Sequence, residues 1–209
     1  MHLRLPEVQG RTGSSQDSLV VRVTTNAGTV GYGEVDSRPF GREGIIEAPA
    51  WHLRTRGLRE IRVGEDPLET GRLWDPMYQS TLYFGREGPA IQAMAFIDLA
   101  LWDIKGKALG LPIVSLLGGA YRKSVRAYAS HMFDFEPKVT ARRASEAAEA
   151  GVTAVKFGWE PMGPDPALDE ELVRGVRQAV GPDVQVCIEA GLAWDAKTAG
   201  QWCGAFQSL

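Results

Sequence analysis

The alternation of apolar and polar positions near the start of the chain predicts a β-hairpin. Ser18 to Thr24 (SLVVRVT) and Thr29 to Val35 (TVGYGEV) are strand-like runs, and Asn26-Ala27-Gly28 between them has the composition of a turn. The segment from Arg38 to Gly64 shows no strong period. We therefore expect a loop with a short helix there, long enough to be a mobile flap over a pocket.

Two helices are predicted after this segment. Asp66-Pro67 gives the first helix a capping carboxylate and a proline that suits the first helical position. In the second helix, apolar residues recur at spacings of three and four and so share one face: Ile91, Met94, Ile97, Leu101 and Ile104. Because strands are followed by helices, we expect a separate α+β domain over residues 1–115, with a linker over Ser115 to Lys123.

Beyond residue 115, strands and helices alternate. Strands are predicted at Val125 to Ser130, Ala154 to Trp159 and Val184 to Glu189, with helices over Pro137 to Ala150 and Asp169 to Val180. Such units wind into a parallel sheet with right-handed crossovers. Their spacing allows either a doubly wound sheet or a (β/α) barrel, and periodicity alone does not choose between them.

The length of this second region limits the architecture. A closed barrel of eight units needs roughly 250 residues, and about 85 follow Val125. We expect an α+β capping domain (residues 1–115) followed by the first three βα units of a (β/α) barrel (residues 116–209), which is an incomplete TIM-like barrel. The uncovered edge of a three-stranded parallel sheet favours association, so we also expect a homo-oligomer.

Composition and charge exclude several classes of protein. With 44% hydrophobic and 23% charged residues, the chain resembles an ordinary globular protein and not a disordered one. A formal charge of -3 with both signs interspersed gives no basic stripe for a phosphate backbone, so we expect no nucleic-acid partner. No apolar run approaches about 18 residues, and the N-terminus lacks a secretory signal. We therefore expect no membrane association and a cytoplasmic location.

Cysteine chemistry is not indicated. The two cysteines, Cys187 and Cys203, have no CxxC spacing and no nearby histidine. We interpret both as thiols of the core, because free cysteine is among the most buried residue types.

Charged residues at the ends of the predicted strands are the candidates for chemistry. In both parallel architectures, the carboxyl ends of the strands line a common pocket. Lys156 lies in an otherwise apolar strand and Glu189 ends another, and both charges are costly to bury without a partner. A divalent metal or Lys156 itself would suit Glu189. The structural alternatives are that Lys156 reaches water at a strand margin and that Glu189 forms a simple salt bridge. His131 alone indicates little.

One long segment carries a resemblance to a known family: AIQAMAFIDLALWDIKGKALGLPIVSLLGG, from Ala90 to Gly119. It is similar to the capping-domain helix and linker of the enolase superfamily, in its mandelate racemase and muconate lactonizing enzyme branch. It continues through VRAYAS, GVTAVKFGW and the segment from Glu189 to Trp194, and the N-terminal SSQDSLVVRV and GTVGYGEV also fit. Essentially the whole chain is covered.

The resemblance implies a function and a set of roles. It implies an α+β cap over a modified (β/α) barrel, Mg²⁺ as cofactor, and removal of a proton next to the carboxylate of a small-molecule acid-sugar substrate, with dehydration or racemization as the outcome. Lys156 matches the first lysine of a Lys-x-Lys element and is the implied catalytic residue, but Gly158 stands where the second lysine, usually the base, would be. Glu189 matches the first metal ligand, which is normally Asp.

The capping domain supplies the other implied contacts. Ser14 to Asp17 and Ser37 to Phe40 match the loops that close over substrate, which makes Ser37 a candidate substrate-binding residue. Tyr83 and Arg86 are further candidates, and Arg86 could pair with a carboxylate or serve a surface role.

Two hypotheses of function follow. In the first, the chain is the N-terminal portion of a Mg²⁺-dependent enolate-forming enzyme. The resemblance then places the other metal carboxylates and the acid-base pair on later strands, so we expect weak or absent Mg²⁺ binding and no activity from these residues alone. In the second, the chain is a naturally short, non-catalytic binding or assembly module. The first is favoured because Lys156 and Glu189 are poor choices for a scaffold without pocket chemistry.

Overall fold

The computed structural model of the chain describes residues 2–3, 18–36, 39–51, 55–83 and 85–206. It divides into two compact units, Met1–Tyr121 and Arg122–Leu209. The predicted linker is helical at its start, because Ile113–Leu116 forms a short helix. None of the helices in the described part of the chain has both the length and the apolar character needed to span a bilayer.

The N-terminal unit begins with the predicted hairpin, which is confirmed. Strands β1 (His2–Leu3), β2 (Ser18–Thr24) and β3 (Val30–Asp36) form an antiparallel sheet in the order β1-β2-β3. The turn between β2 and β3 is closed by Thr25, whose backbone N–H donates to Thr29 O at 2.9 Å and whose Oγ1 accepts from Thr29 N–H at 3.0 Å. Gly28 in this turn has φ 81°, a conformation that glycine adopts without steric cost.

Five helices are described in the N-terminal unit. They are α1 (Pro39–Glu47), α2 (Leu58–Arg62), α3 (Thr70–Thr81), α4 (Pro89–Leu109) and α5 (Ile113–Leu116). The segment predicted as a loop with one short helix contains two helices, α1 and α2. Helix α1 is tied to α4, because the buried Arg42 donates through Nε to Gln92 Oε1 at 2.9 Å. The prediction that Asp66 caps the next helix is wrong. Asp66 accepts from Leu68 N–H at 2.9 Å and closes a turn, and α3 begins only at Thr70.

Helix α4 is the centre of the N-terminal core. It presents its predicted apolar face to β2, β3, α1 and α3, with these residues buried: Ala93, Met94, Phe96, Ile97, Leu101 and Ile104. The approach of α4 to β3 depends on two glycines. A Cβ atom at Gly33 would lie 1.8 Å from Phe96 O, and one at Gly31 would lie 2.1 Å from Ala100 O. The two elements are therefore in backbone contact, which no side chain at these positions would permit.

The C-terminal unit is a three-stranded parallel sheet with helices. Strands β4 (Ala129–Met132), β5 (Ala154–Gly158) and β6 (Gln185–Glu189) lie in the order β4-β5-β6. The helices are α6 (Pro137–Glu149), α7 (Pro166–Val180) and α8 (Ala196–Phe206). The alternation of strands and helices predicted from the sequence is confirmed in this unit.

Some predicted boundaries in this unit are wrong. Strand β4 begins at Ala129 and not at Val125, which is 73% exposed and has no core to pack against. Helix α7 begins at Pro166, because the Asp165 carboxylate caps it by accepting from Ala167 N–H at 3.0 Å. The interpretation of both cysteines as core thiols also fails, since Cys203 is exposed and Cys187 is half-buried.

The two faces of the parallel sheet differ in character. Val155, Phe157 and Phe133 pack with Leu172, Val173 and Val176 of α7 in the buried core. Register partners Ser130, Lys156 and Cys187 lie on the other face, because side chains alternate along each strand. Met132, Gly158 and Glu189 are two positions further on and share that polar-bearing face. One face therefore holds the fold together while the other carries charged groups.

The close approach of α4 to β3 gives a test of the N-terminal unit. Gly33→Ala should lower the free energy of unfolding by about 2–3 kcal/mol, because the methyl group forces helix and strand apart. Gly44→Ala in α1 is the control: nothing lies within 4 Å of a Cβ there, and alanine favours helix, so stability should stay equal or rise. Urea unfolding of the three proteins measures this. Equal midpoints for Gly33→Ala and the parent chain would contradict the packing described here.

Candidate active site

The two charged residues predicted from the strand ends lie together. Lys156 is on β5 and Glu189 ends β6, two register positions apart on the same face. The Lys156 ammonium donates a hydrogen bond to Glu189 Oε2, and the two side chains form an ion pair. The exposed fractions are 21% for the Lys156 side chain and 39% for that of Glu189. Both charges can therefore be reached from outside while remaining partly desolvated.

The ion pair determines the protonation state of Lys156. The hydrogen bond to Glu189 raises the pKa of Lys156 above its usual 10.5, and this outweighs the opposite effect of burial. At neutral pH Lys156 is thus an ammonium ion that can donate hydrogen bonds and cannot accept a proton. Lys156 therefore does not merely reach water at a strand margin, whereas the alternative in which Glu189 forms a salt bridge matches the contact in the structure.

Gly158 has a steric reason to lack a side chain. A Cβ atom there would lie 2.9 Å from Glu189 Cβ and 3.1 Å from Glu189 O, with the carboxylate Oε2 at 3.5 Å. The glutamate therefore occupies the space into which a residue at position 158 would project. A lysine at position 158 would require β6 to move. The glycine at 158 and the glutamate at 189 therefore depend on each other sterically.

The loop after β5 adds a residue that sequence analysis missed. Trp159 has φ 66°, a left-handed conformation that is rare for a bulky residue. Its N–H donates to Glu189 O at 3.0 Å, and its ring lies against Gly191, where a Cβ atom would be 3.2 Å from a ring carbon. The residue as a whole is nevertheless 50% exposed. No pattern in the sequence predicts a left-handed backbone conformation for a tryptophan at a strand end. Sequence analysis therefore gave no indication of this feature.

A buried carboxylate fixes the far side of the same loop. Both oxygens of Asp169, on α7, accept from Gly163 N–H, at 2.9 and 3.1 Å. The Asp169 residue is fully buried, and burial raises the pKa of its carboxyl group. Asp169 therefore holds the loop through its hydrogen bonds to the Gly163 backbone.

The remaining predicted site residues belong to the other unit or lie outside the described residues. Tyr83 is 84% exposed, and Arg86 is exposed as well; both follow α3 in the N-terminal unit. Ser37 lies outside the described residues, as does the segment of residues 14–17. His131 stacks on Phe157 with ring centroids 5.4 Å apart, on the helix-facing side of the sheet, and is therefore separated from the face that carries Lys156.

The donor set can be tested against a magnesium site. Mg²⁺ prefers six oxygen ligands, usually with one or two carboxylates among them. Among the residues that the structure describes, no group of three or more His, Cys, Asp or Glu side chains is placed to hold a metal ion. Glu189 offers a single carboxylate, and its Oε2 already accepts from Lys156. The described residues therefore do not form a magnesium site by themselves.

A cavity lies within the N-terminal unit. It has a volume of about 700 Å³ and lies between β2 and the apolar residues Leu73, Ile97 and Leu101. Arg62 contributes to its wall, and burial lowers the pKa of that guanidinium to about 10. None of the predicted site residues that the structure describes lines this cavity.

Comparison with known proteins identifies the family. Residues 2–118 match the mandelate racemase / muconate lactonizing enzyme N-terminal domain, and residues 139–209 match the enolase C-terminal domain-like family. The chain is 33% identical over 180 residues to D-galactarolactone cycloisomerase of Agrobacterium fabrum, covering 82% of this chain and 43% of the relative. It is 34% identical over 188 residues to arabinonate dehydratase of Saccharolobus solfataricus, covering 88% of this chain and 48% of that protein.

Solved structures agree with these matches. A predicted mandelate racemase from Rhodobacter sphaeroides superposes with a TM-score of 0.82 at 30% identity, covering 99% of this chain and 54% of the other. A putative dehydratase from Zymomonas mobilis ZM4 gives 0.80 at 29% identity, covering 93% and 55%. The chain spans slightly less than half the length of the two curated relatives named above. Over the residues it contains, the chain belongs to the mandelate racemase / muconate lactonizing enzyme family of the enolase superfamily.

Proposed function

We propose that this chain is the N-terminal portion of a Mg²⁺-dependent enzyme that removes a proton next to the carboxylate of an acid sugar, as a dehydratase or a racemase. The observation that carries the proposal is the Lys156 and Glu189 pair on one face of the parallel sheet. Family membership supports it, as do relatives named arabinonate dehydratase, D-gluconate dehydratase and L-talarate/galactarate dehydratase. Dehydration is the outcome that these names favour.

The proposal extends to the architecture. We propose that β4, β5 and β6 with their helices are the first three units of a (β/α) barrel, which follow an α+β capping domain in the chain. The face that carries Lys156 and Glu189 is then the inner face, and the face packed on α6 and α7 is the outer one. Catalytic groups of such barrels are drawn from the carboxyl ends of several strands, which is where both charged residues lie.

Each residue has a role that follows from its chemistry. Lys156, held as an ammonium ion by its raised pKa, donates to the substrate carboxylate and stabilises the negative charge that develops when the neighbouring proton leaves. Gly158 provides no base, so the proton is accepted by a group that is not on β5. Ser37, Tyr83 and Arg86 contribute polar contacts to the substrate from the capping domain.

Glu189 is proposed as one ligand of the metal. A bound divalent ion would supply Lewis-acid stabilisation of the enolate. Since the described residues include no group of three or more such ligands and the Glu189 carboxylate is shared with Lys156, the metal affinity of these 209 residues should be weak.

The pair can be tested through the pKa of Lys156. Glu189→Gln removes the anionic acceptor, so the pKa of Lys156 should fall relative to the parent chain. Because the folded-state pKa is raised, the pair stabilises the fold fully below pH 10.5, and this contribution is lost as pH rises through the folded-state value. NMR titration of the lysine side chain measures both. Glu170→Gln on α7, which removes the exposed partner of Arg174, is the control variant and should leave the pKa of Lys156 as in the parent chain. An unaltered pKa of Lys156 in Glu189→Gln would show that Glu189 does not raise the pKa of Lys156.

Catalysis gives a second test. The 209 residues with Mg²⁺ should show no dehydration of a panel of acid sugars that includes arabinonate, gluconate and galactarate, because one shared carboxylate does not hold the metal and β5 has no base. Formation of 2-keto-3-deoxy acid is the readout. Measurable turnover would show that these residues do not lack the metal ligands and the base, and so would contradict the proposal.

A further inference from the structure

The indole of Trp159 is an exposed aromatic surface beside the proposed site. Half of the residue is accessible, although it follows β5 directly and the strand itself is mostly buried. Exposing a large apolar ring to water is unfavourable, so a ring of this kind at a pocket edge is a candidate for ligand contact. The functional roles discussed so far do not use it.

The surroundings of Trp159 hold the ring in place without covering it. The left-handed backbone is disfavoured for a bulky residue and persists only where neighbouring groups impose it. Two hydrogen bonds do so: Trp159 N–H donates to Glu189 O at 3.0 Å, and Trp159 O accepts from Met162 N–H at 3.2 Å. The ring also rests on Gly191, which has φ 61° and no side chain to displace it. Strained residues in sites that constrain them are frequent at ligand clamps.

Trp159 lies close to Lys156 along the chain. It is three positions after Lys156, so their Cα atoms are at most about 10 Å apart. The intervening position 158 carries no side chain and is closed by Glu189. An extended acid-sugar chain is of comparable length, with a carboxylate at one end and a run of C–H groups along its carbon backbone. The electron-rich face of an aromatic ring attracts such C–H groups.

We propose that Trp159 contacts the substrate: its exposed indole face packs against the C–H face of a polyhydroxy acid whose carboxylate is bound by Lys156. This inference rests on the proposed function and adds a specificity residue to it. A short carboxylate such as acetate reaches Lys156 only, whereas a longer acid also reaches Trp159. The ring therefore favours longer polyhydroxy acids over short carboxylates.

The test compares two ligands and three variants of the 209-residue chain, by calorimetry or NMR titration. Trp159→Gly should weaken galactarate binding about threefold to tenfold and leave acetate binding unchanged. Glycine suits the left-handed backbone, so the melting temperature of Trp159→Gly should not fall below that of the parent chain. Trp159→Phe keeps an aromatic face and should stay within about twofold of the parent for galactarate. Lys156→Met should weaken both ligands.

The outcomes separate the two proposals. If Lys156→Met weakens both ligands and Trp159→Gly binds galactarate as the parent does, the inference about Trp159 is wrong and the proposed function stands. If Trp159→Gly melts earlier and loses both ligands alike, the residue is structural, which also overturns the inference. If Lys156→Met changes neither affinity, the carboxylate-binding role of Lys156 is wrong. Failure of the parent chain to bind either ligand overturns both proposals.

Discussion

The ion pair between Lys156 and Glu189 is the interaction on which the functional account depends. Burying either charge alone in an apolar strand would be costly. Each charge compensates the other, because parallel strands direct equivalent positions to the same face. The pair keeps Lys156 protonated and holds the Glu189 side chain over Gly158. An ammonium ion and a carboxylate are thus presented side by side at the carboxyl edge of the sheet.

Glycines set how closely the elements approach in both units. Gly33 brings the backbone of β3 against α4 in the N-terminal unit, and Gly158 leaves room for Glu189 in the C-terminal unit. The consequences differ. The first contact creates a core by allowing a helix to lie on a strand, whereas the second lets the Glu189 side chain lie over β5 next to Lys156. Glycine therefore allows the close approach of a helix backbone in one place and of a side chain in another.

Much of the fold follows from the sequence alone. The hairpin and helix α4 are predictable because their periodicity and turn residues are local, and the importance of Lys156 and Glu189 follows from the cost of burying a charge. What fails depends on tertiary context. Val125 has the composition of a strand but no partner to pack on, and α1 is helical through its contact with α4. The left-handed turn at Trp159 depends on a hydrogen bond to a residue thirty positions away, which no local pattern contains.

The most direct test of the central claim is a crystal structure of the chain grown with galactarate. The account predicts that one galactarate carboxylate lies within about 3 Å of Lys156 Nζ, on the sheet face that also carries Glu189. A galactarate molecule bound at another place, with the Lys156 and Glu189 pair undisturbed and facing solvent, would contradict the claim that this pair is built to receive a substrate carboxylate.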